Sequence, residues 1–369
     1  MDFYSNVVQW GNFLLVRGVD NNQRVNFRLK YKPTLFVPVM KQTDWKTLDG
    51  KSVTPYQFDC IKDAKDFLLK YESQPHLVHG LNRFAYTYIS DTFPQKVNWN
   101  IDKILIMTID IEVQCENGFP NPESAIEPLL SITVKNQQSK KIIVWGIQPY
   151  KNTREDVTYI RCPNEHDLIM EFMSFWTKNY PDVITGWNTD FFDIPYLANR
   201  IKQVFGEDKM RELSPWKNVS SKQIYSMGRN HLMYDIMGVS QYDYLQLYQK
   251  FTYTRQESYK LDYIASVELG EKKDENPYET FREWYENDFQ SFIDYNIQDV
   301  EIVDKLEDKM GLIDLALTMA YEGKVNYSDV FGQVKYWDIL IYNFLRKRKI
   351  VIPQKTSHSK DEQYEGAYV

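Results

Sequence analysis

The sequence predicts a layered α/β core that follows a strand-rich α+β segment and runs into helices. Three observations carry this expectation. From Met1 to about Tyr88, short runs such as "NFLLVRGV" and "VNFRLKY" alternate apolar and polar residues and are punctuated by "GVDNNQR" and "KPTLFVPV", the period of two that half-buried strands show. From residue 103 to 205, strand-length apolar runs are mixed with helix-length segments, the material of layered α/β cores. Beyond about Pro277 the spacing turns strongly helical.

Taken in order, the first stretch includes one helix near "CIKDAKDFLLKYES", where apolar residues recur at helical spacing. "SDTFPQKVNWNID" is polar, holds a proline and reads as a connection. The core then runs through a strand over 103–113, another over 129–134, a third near 142–147, a helix over 165–178, the short strand "DVITGW" and a helix from about Ile194 to Phe205. "NVSSKQIYSMGRNHLMYDI" reads as two strands around a Gly228-Arg229-Asn230 turn. "GLIDLALTMAYEG" and "KYWDILIYNFLRKRK" keep the helical character close to the end, and Arg346 to Lys349 complement a helix dipole there. The segment after "VIPQ" is polar and aperiodic, so order is not expected in it unless something docks against it. There is no internal repeat and no low-complexity tract.

With 369 residues, 43% of them hydrophobic and 15% aromatic, the chain can bury a large core divided among two or three domains. No apolar run approaches the roughly 18 residues of a spanning helix, and "MDFYSNVVQWGNF" lacks the pattern of a signal peptide. A cytoplasmic location, without a membrane, is the expectation. Cys60, Cys115 and Cys162 are far apart and lack metal-ligand spacing, as do the five histidines, of which His166 reads as a helix-start residue. Free thiols in a reducing compartment follow. The 44 Lys plus Arg against 51 Asp plus Glu give a net charge of −7, which argues against holding nucleic acid by charge alone. Acids that converge on one site are different, because bound cations reverse the local sign.

"DKILIMTIDIEVQCENGF" contains such acids. As a strand it sets Leu105, Met107, Ile109, Ile111 and Val113 on one side and Ile104, Ile106, Thr108, Asp110 and Glu112 on the other. Two like charges on adjacent same-face positions need water, a shared proton or a cation, unless the strand end simply runs into solvent. In "DVITGWNTDFFDIPYLANRIKQVFG", Asp193 stands at a helix start five residues after Asn188, where a capping or first-turn acid is an ordinary alternative. In "YETFREWYENDFQSFIDYNIQDVEIVDKLEDKM", a stripe runs through Tyr285, Phe289, Phe292, Tyr295, Ile302 or Val303, and Leu306, and Asp299 takes the place of its next buried member. Such an acid should be paired, hydrogen-bonded or bound to metal. Tyr295 is one turn earlier, so its hydroxyl can face the same cavity.

Together Asp110, Glu112, Asp193 and Asp299 offer the all-oxygen donor set that Mg²⁺ or Mn²⁺ prefers. Two such ions about 4 Å apart support in-line displacement at a phosphodiester.

The ordered set "DIE", "NTDFFD" and "YNIQD" resembles the three motifs of the proofreading 3′→5′ exonuclease of family B DNA polymerases, the DEDD class with a tyrosine in its third motif. "SDTFPQKVNWNIDKILIMTIDIEV", "ITGWNTDFFDIPYLANRIKQVFGE", "YKLDYIASVEL" and "KYWDILIYNFLRKRKIVIPQ" resemble the replicative polymerases of T-even-type bacteriophages. The resemblance runs from about Lys30 to Val369. It implies an RNase H-like exonuclease domain over 101–310, with 1–100 and 311–369 together making an N-terminal domain. It implies that Asp110 bridges two Mg²⁺ or Mn²⁺ ions, Glu112 binds the ion holding the attacking water, Asp193 supports the second ion, and Asp299 is a further ligand. Tyr295 is implied to orient the water, Asn188 to fix the terminal nucleotide, and Phe119 in "ENGFP" to stack near the unpaired strand. The hairpin carrying Arg229 is implied to help part primer from template, against the plainer reading of a surface hairpin.

The polymerase motifs of the family, D-x-x-S-L-Y-P-S and D-T-D, do not occur in these residues. The expectation is therefore an exonuclease portion acting on a single-stranded DNA 3′ end and on primer-template DNA. A polymerase-half chain, replication accessory proteins and RNA are its expected partners. The alternative is a non-catalytic nucleic-acid-binding or structural subunit of a split polymerase.

Overall fold

Six strands near the N-terminus, joined by one from residues 350–351, form two small sheets. A computed structural model describes residues 1–115, 118–226, 228–271 and 276–354. Strands β1 (Phe3–Trp10), β2 (Phe13–Asp20) and β3 (Gln23–Lys30) form an antiparallel meander. Strands β4 (Thr34–Pro38), β5 (Trp45–Thr47) and β6 (Ser52–Gln57) form a second sheet, joined in parallel by β15 (Ile350–Val351). Helices α1 (Ile61–Lys70) and α2 (Phe84–Thr92) follow; the first is the helix expected near Cys60.

The sheet that matters for function has six strands. It is built from β7 (Ile106–Val113), β8 (Leu129–Asn136), β9 (Ile142–Gly146), β10 (Val157–Arg161), β11 (Val183–Gly186) and β14 (Ser240–Asp243), in the order β10-β9-β8-β7-β11-β14. The β9-β8-β7 part is antiparallel, whereas β10-β9, β7-β11 and β11-β14 pair in parallel. Both faces are covered. Met107, Ile109 and Ile111 pack on one side with residues of α3 (Glu165–Lys178) and α4 (Asp193–Phe205). On the other side Leu130, Ile142 and Val144 pack against Phe289, Phe292, Ile293, Ile297 and Val300 of α9 (Phe289–Met310). A sheet sandwiched in this way is apolar on both faces of its strands, and each fully buried Phe or Ile contributes roughly 1.5–3 kcal/mol. That is why the hydroxyls and carboxylates on the α9 side stand out.

The remaining elements are α5 (Glu207–Arg211), the hairpin β12 (Val219–Ser226) with β13 (Arg229–Ile236), α6 (Tyr244–Phe251), α7 (Leu261–Leu269), α8 (Phe281–Asn287), α10 (Leu312–Gly323) and α11 (Gln333–Arg346). Two sequence expectations shift. The stripe drawn through Tyr285 is not one helix: α8 ends at Asn287, and the Asp288 side chain caps α9 by accepting from the Ser291 N–H at 3.1 Å. In the hairpin, Arg229 already pairs with Ser226, so Arg229 and Asn230 lie in the strand and not in the turn. The polar tail from 355 onward lies outside the described residues.

The two ends of the chain share one core, in which Phe3, Tyr4 and Val7 meet Ile313, Ala316, Leu317 and Ala320. The Tyr321 hydroxyl donates to the Tyr4 carbonyl at 2.9 Å, and the Tyr4 hydroxyl donates to the Val325 carbonyl at 2.8 Å. The meander is tied to the six-stranded sheet through buried Asp182, just before β11. Its carboxylate accepts from Ser5 Oγ, from Arg24 Nε and from the Leu105 N–H at 2.9, 2.9 and 3.0 Å, and it pairs with buried Arg17 at 3.2 Å. At the end of α11, Arg346 pairs with Asp91 and Lys349 with Asp44, so two of the four terminal cations are held by acids. Cys60, Cys115 and Cys162 are free thiols. Among the described residues no helix is long and apolar enough to cross a membrane.

Candidate functional site

The site is assembled from the ends of adjacent strands and the helix that crosses them. On β7, Asp110 and Glu112 are half-buried, while Ile109 and Ile111 between and beside them are buried in the opposite core. Across the ladder Asp110 pairs with Thr133 and Glu112 with Ser131, and directly opposed residues point to the same face. Four polar side chains therefore share a patch under α9. A register shift after Glu112 ends the regular pairing, a bulge of the kind that re-aims side chains beside active sites.

Asp299 of α9 completes this patch. Ligand oxygens of Asp110, Glu112 and Asp299 lie within 4.8 Å of one another. Asp299 is half-buried, however, whereas Asn296, one turn earlier on α9, is fully buried. Asp193 is brought in from the other side. It sits in the first turn of α4, buried, and its Oδ1 accepts from the Ile111 N–H at 3.1 Å. The acid is thus more than a local cap, since its carboxylate reaches β7 between Asp110 and Glu112.

Close approach of β11 to β7 makes this geometry possible. A Cβ on Gly186 would lie 2.4 Å from the Ile109 carbonyl oxygen, so the strand end can sit there only as glycine. The chain then turns through Asn188 at φ 66°, a left-handed conformation that asparagine tolerates better than most residues. Buried Asp243 secures the turn, its two oxygens accepting from the N–H groups of Asn188 at 2.9 Å and Asp190 at 3.2 Å.

Electrostatically the site is overloaded with negative charge. Burial foremost, with Asp243 and Asp299 adding repulsion and the Ile111 N–H opposing, pushes the Asp193 carboxyl up to about 8. Burial and Asp243 push Asp190 up to about 8, and burial raises Asp243 to about 6 against the N–H groups it accepts from. Carboxyls so placed are relieved by a proton or by a cation. Three clustered carboxylates with a fourth alongside form a hard, all-oxygen donor set that suits Mg²⁺ or Mn²⁺.

The other expected residues lie around this cluster. Tyr295, half-buried, stacks edge-on against Trp284 with ring centroids 4.9 Å apart, one turn before Asp299. Phe119 is 82% exposed and leans on Phe192 at 5.0 Å. With Asn188, Phe191, Asn230 and His231 it lines a groove of about 420 Å³. Arg229 opens β13, and its side chain lies outside the described part of the structure. Sequence reasoning missed Asn296, Ser131, Thr133 and Asp243. The alternation of "LLSITVKN" places Ser131 and Thr133 on one face of a strand, but no local signal ties them to Asn296 or marks Asp243.

Residues 82–264 match the exonuclease domain of DNA polymerase family B. The chain belongs to that family. The matched part of this family B chain includes Asp110, Glu112, Asn188 and Asp193, while Tyr295 and Asp299 lie beyond it. Over its whole length the chain is 34% identical to the DNA-directed DNA polymerase of Escherichia phage RB69 and 33% identical to that of Enterobacteria phage T4. It spans 44% of the length of each. Over 75% of its length it is 26% identical to the DNA polymerase delta catalytic subunit of Candida albicans, of which it spans 28%.

Proposed function

We propose that this family B chain is a 3′→5′ exonuclease of the DEDD class with a tyrosine in its third motif, hydrolysing the terminal phosphodiester of single-stranded DNA. The observation that carries the reading is the convergence of Asp110, Glu112 and Asp299 within 4.8 Å, with Asp193 tied to the Ile111 N–H beside them. In this reading the four acids hold two divalent cations. When bound, Mg²⁺ or Mn²⁺ supplies Lewis acidity that activates water and neutralises charge at the leaving 3′ oxygen. The remaining work falls to side chains. The Tyr295 hydroxyl orients the attacking water, Asn188 fixes the terminal nucleotide, and exposed Phe119 offers a stacking face at the mouth of the groove. Arg229, on the β12–β13 hairpin, contacts the strand near the point where primer and template part.

The strand order β9-β8-β7-β11-β14, antiparallel and then parallel, supports an RNase H-like domain over 101–310. The core shared by β1 and α10 supports joining 1–100 with 311–369 as a second unit. Relatives that are DNA polymerases support DNA as the substrate and primer-template DNA as its context. The polymerase-half chain, accessory proteins and RNA rest on the sequence resemblance alone. The test uses a single-stranded oligonucleotide labelled at one end or the other. Stepwise shortening from the 3′ end, abolished by EDTA and restored by Mn²⁺, is expected; shortening from the 5′ end or internal cleavage contradicts the reading.

A further inference from the structure

Asn296 is wholly buried in α9 at the face pressed on the sheet. A buried side-chain amide is costly unless its groups are bonded, and here both ends are used. Its Nδ2 donates to Asp110 Oδ2 at 2.5 Å. Its Oδ1 accepts from Ser131 Oγ at 3.0 Å and from Thr133 Oγ1. The Asp110 carboxylate fixes the orientation, because only the amide nitrogen can donate to it, and the amide oxygen is then left to accept from the two hydroxyls. Ser131 and Thr133 are also the ladder partners of Glu112 and Asp110. Two hydroxyls on the neighbouring strand therefore clamp the amide, and the amide clamps the acid opposite them.

We propose that Asn296 is a positioning residue for the metal centre: held by Ser131 and Thr133, it fixes the rotation of the Asp110 carboxylate by engaging its Oδ2. This rests on the metal-centre reading given above. A carboxylate on a strand can turn about its last bond, and each orientation presents different lone pairs. A charge-assisted bond from a rigid amide removes that freedom before a cation arrives. Hydrogen-bonded partners of metal ligands act in this way elsewhere, and their loss typically weakens metal affinity by roughly 10–100-fold. A purely structural role, joining α9 to β8, is the competing account, and it makes a different demand on the data.

The experiment measures Mn²⁺ binding to the EDTA-stripped, DNA-free chain by the electron paramagnetic resonance signal of free Mn²⁺, alongside thermal unfolding of the metal-free protein. Asn296→Leu keeps the branching of the side chain and removes both the donor and the acceptor. It is expected to raise the Mn²⁺ dissociation constant by about 10-fold or more in a chain that still folds, with a lower metal-free unfolding temperature because the buried Ser131 and Thr133 hydroxyls lose their acceptor. The Ser131→Ala/Thr133→Val pair leaves the donor but unclamps it, and a smaller loss of affinity is expected; it decides the matter if Asn296→Leu does not fold. Wild-type Mn²⁺ affinity in the folded variants, with or without a drop in unfolding temperature, overturns the proposal. A wild-type chain that binds no Mn²⁺ overturns the metal-centre reading itself, and this proposal with it.

Discussion

The Ile111 N–H donates to the Asp193 carboxylate at 3.1 Å, fastening the start of α4 to β7 between Asp110 and Glu112. One acid thus serves as a structural acceptor and as a member of the proposed metal centre, and two substitutions separate these roles. Asp193→Asn retains an oxygen acceptor for Ile111, so the chain should fold with near wild-type stability and lose most of its nuclease rate. Asp193→Ala leaves a buried N–H unsatisfied, which costs about 1–3 kcal/mol, and should lower the urea midpoint as well. Equal stability of the two variants would show that the bond to Ile111 contributes nothing.

Tyr295→Phe keeps the ring that packs on Trp284 and removes only the hydroxyl. Unfolding temperature and Mn²⁺ affinity should be unchanged, and the hydrolysis rate should fall by about 10²- to 10⁴-fold, as expected for loss of one positioned group that assists proton transfer. Asp299→Ala should fall further. A Tyr295→Phe chain that fails to fold or to bind metal would mean that the hydroxyl is structural.

Asp190 should make the metal-free protein sensitive to pH. Its Oδ2 accepts from Gln246 Nε2 at 2.7 Å, its Oδ1 finds no hydrogen-bond partner among the described residues, and burial with the Asp243 charge raises its carboxyl to about 8. The folded state therefore holds this proton more tightly than the unfolded chain, whose Asp titrates near 3.9. Stability from this group is full below about 4 and is lost as pH rises through about 8. The urea midpoint of EDTA-treated protein should fall between about pH 5.5 and 8.5, and Asp190→Asn should make that slope shallower. An identical slope in the variant contradicts the assignment.

Asp182 should be a stability residue without a catalytic role. Its removal leaves buried Arg17 without its carboxylate and the Leu105 N–H without an acceptor. Asp182→Ala should cost about 3–5 kcal/mol, read by urea denaturation. A loss below about 1 kcal/mol would place the pair among interactions of the weak, surface type.

Much of the core and of the acid set was legible in the sequence because both are written in local periods. Alternation in "ILIMTIDIEV" put Asp110 and Glu112 on one face, and the helical period put Asp299 one turn after Tyr295; α3 and α4 begin and end close to the expected residues. What was not legible depends on pairing across the chain. The break at Asp288 was hidden because Phe289 and Phe292 continue the apolar spacing. Asn296 read as one more polar residue of a helix, since nothing local to it announces Ser131 and Thr133, more than 160 residues away. Asp243 was overlooked for the same reason: its partners Asn188 and Asp190 come from a different strand end.

The central claim is that Asp110, on β7, is the ligand on which hydrolysis depends. The most direct measurement is the single-turnover rate at which a 3′-labelled single-stranded oligonucleotide loses its terminal nucleotide in Mn²⁺, comparing wild type with Asp110→Asn. Asn keeps the size of the side chain and removes the charge, so the folded variant should be slower by at least about 10³-fold if the acid holds the cations that stabilise the reaction. A folded Asp110→Asn chain that releases the nucleotide at the wild-type rate, from preparations free of other nucleases, contradicts the account.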